Sequence, residues 1–168
     1  MKLSRESEYA LAGLAHLARK KPGTVLTLRS IASAGGLPPV FLAKIFRRLT
    51  RAGLLTSHRG GRRGYGLARP PEAISVKEIV EAVEGADVFR RCVFWSNRCS
   101  DDRPCILHEL WKTVRPQVVE MMESLTLADV ARGPLRIAQL AAARPDAAPP
   151  RAGGGHPPDA WRPPRGPA

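Results

Sequence analysis

Apolar residues recur at helical spacing along the first fifty positions of the chain and predict three short helices. Ser4 and Thr27 are typical N-cap residues and mark the starts of the first two helices. Pro38-Pro39 introduces the third helix, because proline is tolerated in a first turn, and Gly53 ends it. The pattern then changes to two short strands, residues 54–58 and 65–67, joined by a glycine-rich turn.

A second group of helices follows the strands. Ser75 and Glu78 form a capping box that opens a helix ended by Gly85. A longer helix is predicted from Ile106, and Pro116 is expected to bend it. Its continuous apolar stripe comprises Leu107, Leu110, Trp111, Val114, Val118, Met121, Met122 and Leu125. Thr126 caps a last short turn. Two short helices joined by a tight turn and followed by a hairpin have the order of a winged helix-turn-helix.

The expected fold is therefore mainly α with a small β wing. A winged helix-turn-helix spans residues 1–70, and residues 71–132 hold a metal-binding loop and the helices for dimerisation. A single small domain cannot easily cover the long stripe, so pairing with a second copy is expected to bury it. Residues 133–168 contain nine of the 16 prolines and few large apolar residues. This composition predicts a disordered tail.

The positive charge of the chain is concentrated at its N-terminal end. The formal net charge is +12, and residues 1–70 contain 14 Lys and Arg against two acidic residues, whereas residues 71–132 contain eight against eleven. A segregated basic region is typical of a nucleic-acid-binding protein. No segment reaches the length of apolar sequence needed to span a bilayer or has the organisation of an export signal. A cytoplasmic protein without a membrane partner is expected.

The third helix and the wing carry the candidate DNA-binding residues. In a helix-turn-helix the start of the second motif helix lies nearest the bases, and flanking cations hold phosphates. The residues predicted near the bases are Pro39, Val40, Ala43 and Lys44, and those predicted at the backbone are Arg47, Arg48 and Arg51. At the wing tip, the candidates for minor-groove contact are Arg59, Arg62 and Arg63. A solvated basic face, or an adaptor that binds a protein partner, is the alternative to double-stranded DNA.

Three cysteines lie close together in sequence and are followed by a histidine. The set is Cys92, Cys99, Cys105 and His108. Thiolates ligate iron–sulfur clusters, and three cysteines with a histidine are also a zinc set, although zinc sites usually pair cysteines at shorter spacing. Free redox-active thiols with no metal are a third interpretation. The sequence has no recognisable catalytic motif, so an enzyme is not expected.

Several of these segments together resemble the Rrf2 family of bacterial transcription regulators. The similar segments are Met1-Lys2-Leu3-Ser4 with Tyr9-Ala10-Leu11, residues 42–49 with Gly53-Leu54, Arg59-Gly60 with Gly64-Tyr65, residues 73–83, the three cysteines and residues 124–127. The resemblance covers about residues 1–132. Two features depart from the family pattern: a six-residue first cysteine gap where five is more common, and Arg62-Arg63 where glycines are common.

The resemblance implies a homodimeric winged-helix repressor or activator, in a family that includes IscR, NsrR and RirA. It also implies that the three cysteines bind an iron–sulfur cluster, 2Fe–2S or 4Fe–4S, whose state changes DNA affinity. For the fourth ligand it implies either His108, as in the cluster-assembly branch, or Glu8 from the other subunit, as in the nitric-oxide branch. His108 is the preferred fourth ligand. A regulator with zinc or free thiols and no cluster remains the alternative.

Overall fold

The structure, a computed structural model, describes residues 4–92 and 99–133. The first three residues of the family-like opening, the residues between Cys92 and Cys99, and the predicted tail from residue 134 lie outside the described residues. The helices are α1 (Arg5–Ala18), α2 (Leu28–Gly35), α3 (Pro39–Arg51), α4 (Val76–Glu84), α5 (His108–Ser124) and α6 (Leu127–Arg132). The strands are β1 (Leu55–His58) and β2 (Gly64–Leu67). The mainly helical fold with a small β wing is confirmed.

Helix α1 is the centre of the fold. The Ser4 side chain accepts a hydrogen bond from the Ser7 N–H and caps its start, as predicted. The helix packs on α2, α3, α4 and α6 as well as on β2. Much of its buried surface consists of small residues, among them Ala10, Ala12 and Gly13. Because these side chains are short, neighbouring helices approach α1 closely, and a Cβ at Gly13 would lie 2.9 Å from the Phe46 ring.

Helices α2 and α3 form the helix-turn-helix. Thr27 caps α2, and Gly36 ends it in the left-handed conformation with φ of 60°, which glycine adopts without strain. The turn is closed by a 2.8 Å hydrogen bond from the Leu37 N–H to the Ala32 carbonyl. Pro39 occupies the first position of α3, as expected. The apolar stripe of α3 is buried in full and comprises Leu42, Ile45, Phe46 and Leu49.

The wing is an antiparallel hairpin, and it also pairs with a segment of the chain that the sequence pattern did not predict. Strand β1 pairs with β2 from Leu55 opposite Leu67 to His58 opposite Gly64. Tyr65 also forms an isolated bridge with Leu26, through hydrogen bonds of 2.8 and 3.0 Å between their backbones. This bridge attaches the wing to the segment before α2.

Helices α4 and α6 join the core of the helix-turn-helix. Both predicted caps are present, since Ser75 with Glu78 and Thr126 with Asp129 form capping boxes. Ser75 and Thr126 also form an isolated bridge, which places the starts of α4 and α6 side by side. The main buried cluster includes Ile79 of α4 and Leu127 of α6 together with α1 and α3 residues. One core therefore contains residues from both sides of position 70.

Helix α5 differs from its sequence prediction in its start and in the placement of its apolar stripe. It begins at His108 rather than Ile106, and Pro116 lies inside it. The predicted stripe is divided between two faces. Trp111 is buried, and Val119 and Met122 pack against the small cluster of Val76, Val80 and Phe89. The outward face, here called the α5 outer stripe, comprises Leu110, Val114, Met121 and Leu125, all exposed.

Within the described ranges, none of the helices combines the length and the hydrophobicity that crossing a bilayer requires.

We expect Gly64→Ala to destabilise the protein by about 1–3 kcal/mol, as overpacking of a close contact typically does. A Cβ at Gly64 would lie 2.3 Å from the Leu26 carbonyl oxygen, and backbone at both ends of this contact is fixed by the Leu26–Tyr65 bridge. Thermal unfolding measures the effect as a lower Tm. Gly61→Ala in the same hairpin is the matched control, because its Cβ would meet no atom within 4 Å. Equal Tm values for the two variants would contradict this account of the wing.

Candidate metal centre and nucleic-acid interface

The three cysteines converge in the structure. The sulfur atoms of Cys92, Cys99 and Cys105 all lie within 4.8 Å of one another. Cys92 follows the short segment after α4 and is buried, whereas Cys99 and Cys105 are half-buried and precede α5. None of the three is in a disulfide. The fold therefore brings together thiols that are separated by up to 13 positions in the sequence.

His108 lies beside this group. It is the first residue of α5 and is only 9 % exposed. Its Nδ1 atom is 3.1 Å from the Cys99 sulfur, and its Nε2 atom is 3.1 Å from the Asp101 carboxylate. This burial and these contacts differ from those of an ordinary histidine on a helix surface.

The crowding of the thiols affects their ionisation. A backbone hydrogen bond from Cys105 lowers the pKa of Cys99, but partial burial and the neighbouring thiols of Cys105 and Cys92 outweigh it and leave the pKa raised. Removal of the thiolate from water is the largest of the effects that raise the pKa of Cys99, and the hydrogen bonds and charge of the neighbouring thiols add to it. A bound cation reverses this balance, because a coordinating thiol is deprotonated outright.

The donor set fits a metal centre. Zinc–sulfur bonds are about 2.3 Å long, so two sulfurs on one ion lie no more than about 4.6 Å apart, a span close to that of the cysteine group. Thiolates with an imidazole are also known ligands of iron–sulfur centres. The distances therefore suit a single ion such as zinc, and the types of donor suit both zinc and an iron–sulfur cluster.

Glu8, the other candidate for the fourth ligand, is placed differently. It lies in the first turn of α1 and is half-buried. In the described part of the chain, the group of metal-ligating atoms that lie within 4.8 Å of one another consists of the three cysteines and includes neither the Glu8 carboxylate nor the His108 ring. His108 is nevertheless in contact with one thiol of this group, because its Nδ1 atom is 3.1 Å from the Cys99 sulfur.

A basic groove of about 880 Å³ lies between α3 and the wing. Its cationic lining residues are Arg29, Arg47, Arg51, Arg59 and Arg63. Pro39, another of the predicted DNA-binding residues, also lines it, whereas the side chain of Arg62 lies outside the described part of the wing. Arg29 and His58 were missed by the sequence analysis. Both could have been selected from the sequence, because Arg29 lies in the first turn of the predicted second helix and His58 at the end of the first predicted strand.

The remaining α3 candidates differ in exposure. Val40 is 72 % exposed and Lys44 is exposed, whereas Ala43 is partly buried. Phe41, which the sequence analysis did not select, is 52 % exposed. The start of α3 therefore presents an apolar tip beside the cationic groove.

Arg48 has a different environment from the other arginines of α3. Its Nη1 atom donates to the Glu6 carboxylate of α1 and, at 3.1 Å, to the Val83 carbonyl of α4. The guanidinium therefore joins α3 to two other helices. Arg47 and Arg51, by contrast, line the groove.

The end of α4 is a junction between the cysteine segment and the DNA-binding helices. Arg91, next to Cys92, donates to the Glu84 carbonyl at 3.3 Å and to the Asp87 carboxylate. The Glu84 carboxylate accepts from the Ser7 hydroxyl at 2.6 Å and from the Ser4 N–H at 3.2 Å. Partial burial raises the pKa of Glu84, but these hydrogen bonds outweigh it and leave the pKa lowered.

Comparison with known proteins identifies the family. Residues 3–133 match the family model described as "Rrf2: Iron-dependent Transcriptional regulator". The chain belongs to the Rrf2 family. A protein of Mycobacterium tuberculosis named as an HTH-type transcriptional regulator is 35 % identical over 143 residues, which cover 84 % of this chain and 89 % of the relative. A similarly named Aquifex aeolicus protein is 32 % identical, over 73 % of this chain and 85 % of the relative.

Solved structures of this Rrf2 protein's relatives agree with the fold. The oxidised form of CymR from Staphylococcus aureus is 29 % identical with a TM-score of 0.63, and the match covers 79 % of this chain and 98 % of CymR. The global cysteine regulator CymR of B. subtilis is 31 % identical with a TM-score of 0.64, over 78 % and 96 % of the two chains. IscR of T. potens is 30 % identical with a TM-score of 0.61, over 77 % and 85 %.

Proposed function

We propose that this Rrf2-family regulator binds double-stranded DNA as a homodimer, and that an iron–sulfur cluster controls its DNA affinity. The cluster ligands in this proposal are Cys92, Cys99, Cys105 and His108. The observation that carries the proposal is the convergence of the three thiols, with His108 beside Cys99, in a chain that also has a basic groove between α3 and the wing.

The groove supports the DNA-binding part of the proposal. Five arginines line a cavity between α3 and the wing, and cations in such a position neutralise phosphates and release counterions. The exposed apolar side chains at the start of α3 suit contact with thymine methyl groups in the major groove. The relatives named as transcriptional regulators favour this function over that of an adaptor for a protein partner.

Two observations favour iron–sulfur over zinc. The family model that matches the chain is described as iron-dependent. The cysteine gaps of six and five residues are longer than the two to four residues usual between paired zinc ligands. Glu8 from a second subunit remains the alternative fourth ligand.

The hydrogen bonds at the end of α4 support control of DNA binding by the proposed metal centre. Arg91 ties the residue next to Cys92 to the end of α4, and Arg48 ties the same end of α4 to α3. A change of position at the cysteines therefore has a short, hydrogen-bonded route to the groove. A bound cluster would bias the spacing of the two DNA-reading heads of a dimer.

The α5 outer stripe supports dimerisation. Its four large apolar side chains are exposed in the single chain, and Leu110 and Met121 are half exposed or more. Two such stripes packed together would remove this surface from water symmetrically.

A second candidate function is sensing by the thiols themselves, with zinc or no metal. The similarity to CymR favours it, since one CymR structure is titled as the oxidised form and another as a global cysteine regulator. The half-buried Cys99 and Cys105 are the thiols that an oxidant in solvent would reach.

Arg47→Ala should weaken binding to all duplexes and lower the slope of log affinity against log salt by about 0.9, because one phosphate is no longer neutralised. Arg48→Ala is the matched variant: it removes the same charge one position later, from a side chain that is held by Glu6 and Val83. We expect it to leave the slope nearly unchanged. Titration of a fluorescent duplex at several salt concentrations measures both slopes. An equal decrease of the slope in the two variants would show that Arg48 leaves its ion pair to bind DNA.

Leu110→Asp or Val114→Asp should convert the dimer to monomers, because a carboxylate placed in the apolar interface is desolvated without a partner. Light scattering of the intact protein at micromolar concentration should give the mass of two chains for the wild type and of one for the variants. Thr113→Asp is the control, since Thr113 is exposed and lies off the α5 outer stripe. A wild type with the mass of one chain would contradict the homodimer.

Replacement of any one of Cys92, Cys99 and Cys105 by Ser should abolish stable cluster binding, because two thiolates are too few to hold the iron. Iron, sulfide and zinc contents and visible absorption are measured after anaerobic purification, and operator affinity is measured on the same samples. The wild type should be coloured and contain iron and sulfide. Stoichiometric zinc without sulfide would favour the second candidate. Variants that lose the cluster yet bind DNA like the wild type would rule out control by the cluster and leave DNA binding intact.

A further inference from the structure

Both ring nitrogens of His108 have defined partners, one on each side of the ring. Nδ1 is directed to the Cys99 sulfur and Nε2 to the Asp101 carboxylate, each at 3.1 Å. The ring itself is buried, whereas the Asp101 side chain is 85 % exposed. The carboxylate therefore approaches His108 from the solvent side, opposite the Cys99 thiol.

A carboxylate at Nε2 determines which nitrogen carries the proton. A neutral imidazole has one N–H and one lone pair, and an ionised carboxylate can only accept. With the N–H at Nε2 donated to Asp101, the lone pair is at Nδ1 and faces Cys99. Carboxylates in this position on metal-bound histidines fix the ring orientation and raise the basicity of the ligand.

Other charged groups around the ring leave Asp101 as the principal partner. Glu109 is 4.0 Å from Nε2, beyond hydrogen-bonding distance. Lys112 lies 3.7 Å from the Asp101 carboxylate and 4.0 Å from that of Glu109. The ammonium group thus helps to hold Asp101 near the ring.

We propose that Asp101 is a positioning residue for the metal centre, which holds the proton of His108 on Nε2 so that Nδ1 is the ligating atom. The inference rests on the proposed function, because it needs a metal centre that includes His108. Asp101 would touch neither the metal nor DNA and would act only through the histidine.

The test compares Asp101→Asn with Asp102→Asn in the full-length protein loaded anaerobically with ferrous iron and sulfide. Both changes remove one exposed negative charge from adjacent positions, but only Asp101 is hydrogen-bonded to His108. Asp101→Asn should release iron to a chelator about 10–100-fold faster than the wild type, as removal of the carboxylate behind a ligating histidine typically does. Its midpoint potential should be higher, and the histidine nitrogen signal in pulsed electron paramagnetic resonance of the reduced centre should change. Asp102→Asn should match the wild type in iron release and in the nitrogen signal, and Asp101→Glu should restore both in part.

The possible failures are distinguishable. Equal behaviour of Asp101→Asn and Asp102→Asn would overturn the role of Asp101 and leave the cluster proposal standing. A wild-type centre with no histidine nitrogen signal would overturn the role of Asp101 and ligation by His108, and would leave a cluster on the three cysteines with another fourth ligand. A wild type that binds no iron–sulfur centre would overturn both. Circular dichroism before loading checks that the variants are folded. If Asp101→Asn does not fold, iron release from Asp101→Ala decides the question, because this variant also lacks the carboxylate. Release at the wild-type rate with an unaltered nitrogen signal would then oppose the inference.

Discussion

Close packing on α1 positions both halves of this protein. The helix has alanine or glycine where its neighbours approach, and the Phe46 ring of α3 lies against the backbone of Gly13. On another side of α1, the Glu84 carboxylate of α4 accepts hydrogen bonds from Ser4 and Ser7. Since interiors are packed as tightly as organic crystals, a shift of α4 cannot be absorbed without a response from the helices it touches. The DNA-binding head and the cysteine segment are thus mounted on one shared element.

The charges of the chain are also divided between the DNA-binding head and the segment after position 70. The basic residues of the groove come from α2, α3 and the wing, while most of the acidic residues lie after position 70. Glu6 is one of only two acidic residues in positions 1–70, and it is paired with Arg48. The ion pair is partly exposed and contributes little stability on its own. Its effect is on geometry, because it helps to fix the angle between α1 and α3.

Sequence patterns predicted the elements whose signals are local. Ser4, Thr27, Ser75 and Thr126 cap helices as expected, because each cap depends on residues within one turn. The convergence of the cysteines was also expected from their spacing. Contacts between distant segments were not predictable in this way. The Leu26–Tyr65 bridge, the pairing of Arg48 with Glu6 and the two faces of α5 all depend on how the helices pack, and periodicity alone does not specify packing. Asp101 was likewise missed, since an exposed carboxylate seven positions before a histidine has no recognisable spacing.

The three cysteines are buried to different extents, so the site has an inner side and a side that faces the solvent. Cys92 is 7 % exposed and adjoins Arg91, whose carbonyl accepts a hydrogen bond from the Trp111 indole, so it is anchored to the core. Cys99 and Cys105 lie in the segment nearer the solvent. A small reactive molecule would meet those two ligands first, and a metal centre under attack would remain attached longest at Cys92. In the proposed centre, Cys99 and Cys105 would thus face the solution, and Cys92 would be the fixed point through which a chemical change could reach the end of α4.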